Sequence, residues 1–112
     1  VDATGAAKIY RESVGRCLYV AGTPGHYLVK IGIADCPRLR IETLRRNSDE
    51  TLIPHDVDRS MIQVLYQQRG GRRLELALHR RLRHRRVLGE WFDLGPIAVP
   101  LIKSLIREVD AA

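Results

Sequence analysis

Arg16-Cys17-Leu18-Tyr19-Val20-Ala21, Gly22-Thr23-Pro24-Gly25 and Tyr27-Leu28-Val29-Lys30-Ile31-Gly32-Ile33 follow one another with only His26 between the last two. The outer segments are rich in β-branched and aromatic residues, which suit a pleated, half-buried surface. The inner segment is a turn signal. Together they predict a β-hairpin. Strands joined by so short a turn run antiparallel, which excludes a long parallel sheet.

Upstream, residues 1–15 are small and polar with weak periodicity, and read as an entry arm or linker. Downstream, Asp35-Cys36-Pro37 opens a helix, with Asp35 or Cys36 as N-cap and Pro37 in the first turn. Ile41 and Leu44 lie on one side of it, and it ends near Arg46-Asn47. Residues 48–59 are polar, contain Pro54 and read as a loop. Residues 60–66 predict a third strand, which Gly70-Gly71 breaks. Residues 72–85 predict the clearest helix, with Leu74, Ala77, Leu78 and Leu82 on one stripe. After Gly89, residues 90–94 predict a short extended segment, and Pro96 or Pro100 opens a last helix through Leu101, Ile102, Leu105, Ile106 and Val109. The expected order is β-β-α-β-α-β-α. It describes an α/β (α+β) fold in which a small antiparallel or mixed sheet has helices against it. One domain over residues 16–112 follows the arm over residues 1–15.

The chain's 112 residues suffice for one domain with one core, and an apolar fraction of 45% is that of a folded protein. Aromatics are only 5%, so the core must come mostly from Leu, Ile, Val and Ala. Lys and Arg number 19 against 13 acids, a net charge of +6, and only Lys8, Lys30 and Lys103 are lysines. Guanidinium groups fork onto phosphate oxygens, so this surface suits a polyanion; a GC-rich coding sequence produces the same bias without function. Cys17 and Cys36 have no ligand-spaced partners and read as reduced residues of a cytoplasmic protein. No run is long enough to span a membrane, no signal peptide opens the chain, and a start at Val1 suggests a processed chain or a domain of a longer one.

Several residues have the chemistry of a site. Glu75 and His79 lie four apart on one helical face, bordering the leucine stripe, with Arg83 and Arg86 continuing it. A glutamate there can hold a hard cation, and a histidine can donate to phosphate or move a proton; a plain i, i+4 pair accounts for the spacing equally well. Arg38 and Arg40 lie in the first turns of the preceding helix, where a guanidinium can steady a phosphate or simply be solvated. Tyr19 can accept a proton only if positive charge, such as that of Lys30, pulls its pKa below about 10. Gly32 either ends its strand or admits a close approach of backbone to substrate. Trp91 and Phe92 read as core, while Glu90 either pairs with the arginine-rich stretch 80–86 or lines the site. Those arginines at phosphates would make binding salt-sensitive; at a helix end they also suit the dipole. His55, Asp56 and Asp58 share a loop without a further ligand, and His26 sits in a turn.

In this order, Leu18-Tyr19-Val20, Lys30-Ile31-Gly32, an early helical arginine, Glu75-x-x-Leu78-His79 and Gly89-Glu90-Trp91-Phe92 resemble the GIY-YIG endonuclease superfamily. The likeness is to the branch whose second motif reads Lys-Ile-Gly and whose last reads Gly-Glu-Trp-Phe, common in phage and bacterial mobile elements. It spans about residues 18–94. It implies a three-stranded sheet flanked by helices and metal-assisted, in-line attack of water on a phosphodiester. By the resemblance, Tyr19 matches a candidate general base, and Lys30 replaces the second motif's tyrosine. Arg40, ahead of Arg38, matches the arginine at the scissile phosphate, and Glu75 matches the ligand of one Mg²⁺ or Mn²⁺ ion. His79 and Glu90 match residues typical of the branch. The first motif departs from the family, reading Cys17-Leu18-Tyr19. With the second tyrosine absent, the base is Tyr19, Lys30 or water activated by the metal.

The expectation is a divalent-metal-dependent endonuclease acting on DNA, single- or double-stranded, with RNA as a possible substrate, no membrane partner and no defined oligomeric state. Arg38, Arg40, Arg83 and Arg86 are its nucleic-acid contacts, with Gly32 and Glu90 in support. A non-cleaving nucleic-acid-binding module and a structural or protein-interaction domain are the alternatives.

Overall fold

The structure, a computed structural model, describes residues 16–25, 27–46 and 53–111. The arm expected over residues 1–15, His26 and the start of the expected 48–59 loop lie outside the described residues. Five strands form one sheet: β1 (Cys17–Gly22), β2 (Leu28–Ala34), β3 (Gln63–Arg69), β4 (Arg86–Leu88) and β5 (Trp91–Asp93), in the order β3-β1-β2-β5-β4. Every pairing is antiparallel. Among the described residues three helices accompany it: α1 (Pro37–Arg46), α2 (Arg72–Arg81) and α3 (Ala98–Ala111). No described helix is long and apolar enough to cross a membrane.

β1 is buried along its whole length because strands flank it on both sides and helices cover both faces. Its period-two alternation sorts the core into two layers. Leu18 and Val20, with Val29, Ile31 and Phe92, pack against Leu78 of α2 and Ile102 and Ile106 of α3. Tyr19 and Ala21, with Leu28 and Trp91, face the other way, against Ile41 and Leu44 of α1 and Val57 and Ile62. Trp91 and Phe92 are adjacent and serve opposite layers. Arg81 on α2 reaches Glu108 on α3 at 3.0 Å, and Arg45 on α1 donates to the Ile62 carbonyl at 2.6 Å.

The hairpin forms as expected, one residue later at each end, and Cys36, whose carbonyl accepts from Arg40 N–H at 3.1 Å, takes the N-cap position of α1. Three expectations are corrected. The sheet has five strands rather than three. A two-residue turn at Gly89, with φ of +55°, folds residues 86–88 back onto residues 91–93, so pairing shows where periodicity is too short to.

The third strand starts later and runs further. Ser60 and Met61 belong to a 3₁₀ turn, Arg59–Met61, in which Asp58 accepts from the Ser60 N–H at 3.0 Å and hydroxyl at 2.7 Å. β3 itself continues to Arg69, because it is an edge strand whose glutamines need not be apolar. Finally, α2 stops at Arg81: Leu82 leaves helical geometry at φ −103°, ψ 10°, and Arg83–Arg85 form a 3₁₀ turn. Arg83 and Arg86 therefore do not continue the Glu75/His79 stripe; both are exposed, one in that turn and one at the start of β4.

Candidate active site

β5 pairs with β2 only from Leu28 to Lys30. At the next residue the ladder passes to other partners. Ile31 N–H donates to the Glu90 carbonyl at 3.0 Å, and the Ile31 carbonyl faces His79 Nε2 at 2.8 Å. One residue of the β2 edge thus ties the β4–β5 turn and α2 together. A carbonyl only accepts, so Nε2 is the ring nitrogen that carries hydrogen, and in the neutral imidazole Nδ1 holds the lone pair. The ring also rests against Phe92, with centroids 5.0 Å apart.

Glu75, one helical turn before His79, is buried at 5% exposure. Ligating atoms of Glu75, His79 and Glu90 all lie within 4.8 Å of one another. Lys30, buried on β2, forms an ion pair with Glu90 Oε1. Glu90 pairs there rather than with the arginines of residues 80–86, because Trp91 opposes Lys30 across the β2–β5 ladder and sets the preceding residue beside it.

Tyr19 enters from β1. It stands opposite Gly32, and a Cβ on Gly32 would lie 2.8 Å from the Tyr19 hydroxyl oxygen and 2.9 Å from the ring carbon bearing it. The phenol ring lies across the glycine, so its hydroxyl reaches over β2 toward the same edge. This is the close approach that Gly32 serves, with the protein's own tyrosine as the approaching group. The exposed Arg40 of α1 acts on that hydroxyl both as a charge and through a hydrogen bond.

The electrostatics follow. Burial pushes the Tyr19 hydroxyl well above the usual tyrosine range; Glu90 and Glu75 push the same way, against Arg40. This corrects the expectation that Lys30 lowers its pKa: the lysine's charge is spent on Glu90. Burial, the Glu90 charge and a carboxyl–carboxyl hydrogen bond push Glu75 up, opposed by His79 and Arg72. For Glu90, burial favours the neutral form, but the hydrogen bond and charge of Lys30, the hydrogen bond from Glu75 and the His79 charge outweigh it, leaving its pKa lowered. Of the two carboxyls, Glu75 is therefore the one that takes up a proton first as pH falls. Two carboxyls and an imidazole nitrogen with a free lone pair form a donor set that suits one divalent ion.

The structure brings together Tyr19, Lys30, Gly32, Arg40, Glu75, His79 and Glu90. Arg38 instead meets Glu42 at 3.3 Å on the exposed side of α1, and Arg83 and Arg86 lie beyond the cluster's helical stripe. Sequence reading misses Arg72, whose charge acts on Glu75, although it lies three positions earlier on the same face. It also misses the Ile31 carbonyl, for which side-chain patterns carry no signal.

The family model of the T5orf172 domain matches the chain over residues 16–110. No curated protein and no solved structure matches the chain.

Proposed function

This chain belongs to the T5orf172 domain family, a phage-associated family related to nuclease-type domains, and on that footing we propose that it is a divalent-metal-dependent endonuclease acting on DNA. The observation that carries the reading is the convergence, at one sheet edge, of a phenol, an exposed guanidinium and a carboxyl pair, one buried and one half-buried. A scaffold has no need to bury a glutamate against a second carboxylate. A phosphodiester hydrolase needs an anion clamp and a cation site within reach of one phosphate.

Arg40 is the clamp. Its guanidinium is exposed beside the Tyr19 hydroxyl and can fork onto the non-bridging oxygens of a scissile phosphate. Tyr19, neutral because its pKa is raised, orients the attacking water by hydrogen bonding and does not deprotonate it. Lys30 neutralises Glu90 and holds it in place, so that substrate meets one net carboxylate charge there rather than two. Glu75 is the principal ligand, and a bound cation would offset the burial and the Glu90 charge that raise its pKa. A divalent ion bound by Glu75 would lower the pKa of the attacking water and offset charge building on the phosphate.

The test is incubation of labelled single- and double-stranded DNA with Mg²⁺, Mn²⁺ or EDTA, alongside Glu75→Ala. EDTA-sensitive products that vanish in the variant are expected. Retarded but uncut DNA at every metal concentration would replace the nuclease with a non-cleaving DNA-binding module. Neither cutting nor binding would leave only the fold.

A further inference from the structure

We infer that His79 Nδ1 and Glu90 complete a three-ligand site with Glu75, and that the imidazole nitrogen makes this site select a first-row transition ion such as Mn²⁺ over Mg²⁺. The inference rests on the metal reading above and deepens it from one ligand to three.

The tautomer of His79 is set by the fold. Its Nε2 faces a main-chain carbonyl at 2.8 Å, and that carbonyl belongs to a residue whose own N–H is already engaged by Glu90. Phe92 backs the ring. A histidine whose outer nitrogen donates to a backbone carbonyl presents its other nitrogen as an oriented, more basic donor, the usual arrangement behind a metal-bound imidazole. A surface i, i+4 histidine gains nothing from such fixing.

A ring nitrogen of His79 and one carboxylate oxygen each of Glu75 and Glu90 lie within 4.8 Å of one another, close to the roughly 4.2 Å between donors on opposite sides of an ion bound at about 2.1 Å. Glu90 keeps a second oxygen besides the Oε1 that Lys30 takes. With Glu75 ionised, two carboxylates and one ammonium leave a net negative charge for the cation to meet.

Mg²⁺ is held through oxygen and retains most of its waters, whereas imidazole is a ligand for first-row transition ions. A site made of Glu75 alone would accept either ion. One that adds Nδ1 discriminates between them.

The experiment measures Mn²⁺ and Mg²⁺ binding to the whole chain without DNA, by Mn²⁺ electron paramagnetic resonance and competition with Mg²⁺. Mn²⁺ is expected to bind about tenfold or more tightly than Mg²⁺, with nitrogen hyperfine coupling on the bound ion. His79→Ala should remove the coupling and weaken Mn²⁺ by roughly 10- to 100-fold while changing Mg²⁺ little. The wild-type spectrum decides even if that variant fails to fold. Equal affinities, or bound Mn²⁺ without nitrogen coupling, overturn the inference. If Glu75-dependent cleavage persists in that case, the nuclease reading stands. Nitrogen-coupled Mn²⁺ with no cleavage would keep the site and sink the nuclease, and binding of neither ion would sink both.

Discussion

Glu75 is held at a cost to the folded protein, and the sign of that cost is measurable. Its folded-state pKa is raised by burial and by Glu90. Its favourable contribution is therefore present below the ordinary glutamate pKa of about 4.3 and lost as pH rises through the raised value. Glu75→Gln keeps the hydrogen bond to Glu90 without the charge. In EDTA near neutral pH it is expected to raise the melting temperature by a few degrees, with the gain shrinking toward acid pH, while abolishing cleavage. A thermal-denaturation series against pH checks this, and a variant no more stable than wild type at neutral pH would remove the repulsion from the account. Glu90 has the opposite sign: its lowered pKa supplies stability above the ordinary range that is lost as pH falls through the lowered value. Tyr19 gives a second residue-scale test. A phenol that stays neutral contributes no titration to the pH–rate profile near neutrality. Tyr19→Phe is expected to depress cleavage at saturating DNA without moving the profile's midpoints, and a lost ionisation in that variant would restore the tyrosine as base.

At the scale of elements, the β2 edge organises the site. Its pairing with β5 stops at Lys30, which frees Ile31 to bond Glu90 on one side and His79 on the other. Gly32 follows at once, bare of a side chain where the Tyr19 ring crosses. Gly32→Ala places a methyl 2.8 Å from the phenol oxygen. The ring is rigid and backed by the α1 layer, so relief must come from strand or ring displacement, an overpacking cost of about 1–3 kcal/mol. Chemical denaturation should show that loss, and cleavage should fall with it; an unperturbed, fully active Gly32→Ala protein would mean that the ring need not lie there. Lys30→Met on the same strand leaves Glu90 without its cation. With the Glu90 side chain 42% exposed, water screens part of the penalty, and a loss of roughly 1–2 kcal/mol is expected.

Across the whole molecule, positive charge is concentrated rather than spread. Residues 69–86 carry eight arginines and one acid, Glu75, against 19 basic and 13 acidic residues in the full chain, so the remainder has acids in slight excess. This segment is α2 with its flanks: it lines a cleft of about 790 Å³ with Arg69, Arg73 and Arg80 and exposes Arg83 to Arg86 beside β4. On the nuclease reading, this surface supplies counter-charge to DNA beyond that of Arg40. Affinity is expected to fall linearly on logarithmic axes as salt rises, and Arg83→Gln with Arg86→Gln should make that slope shallower by about 2 for duplex DNA. An unchanged slope would move the contact surface elsewhere.

Local chemistry alone determined the hairpin, α1 with its Pro37 start, the leucine face of α2 and the apolar α3, because alternation, helical period and turn residues act over a few neighbours. It also held the identities of Tyr19, Lys30, Arg40, Glu75, His79 and Glu90 as candidate groups. What it could not hold was their partnership. Whether Lys30 serves Tyr19 or Glu90 depends on which strand lies across from it, and the extended segment expected after Gly89 carries no local signal of its partner. The end of α2 at Arg81 and the shift of Arg83 and Arg86 off its stripe came from the turn back into β4. The direction of the Tyr19 shift and the free nitrogen of His79 came from burial and from one main-chain carbonyl. These are properties of distances between residues far apart in the chain, and only the packed sheet sets such distances.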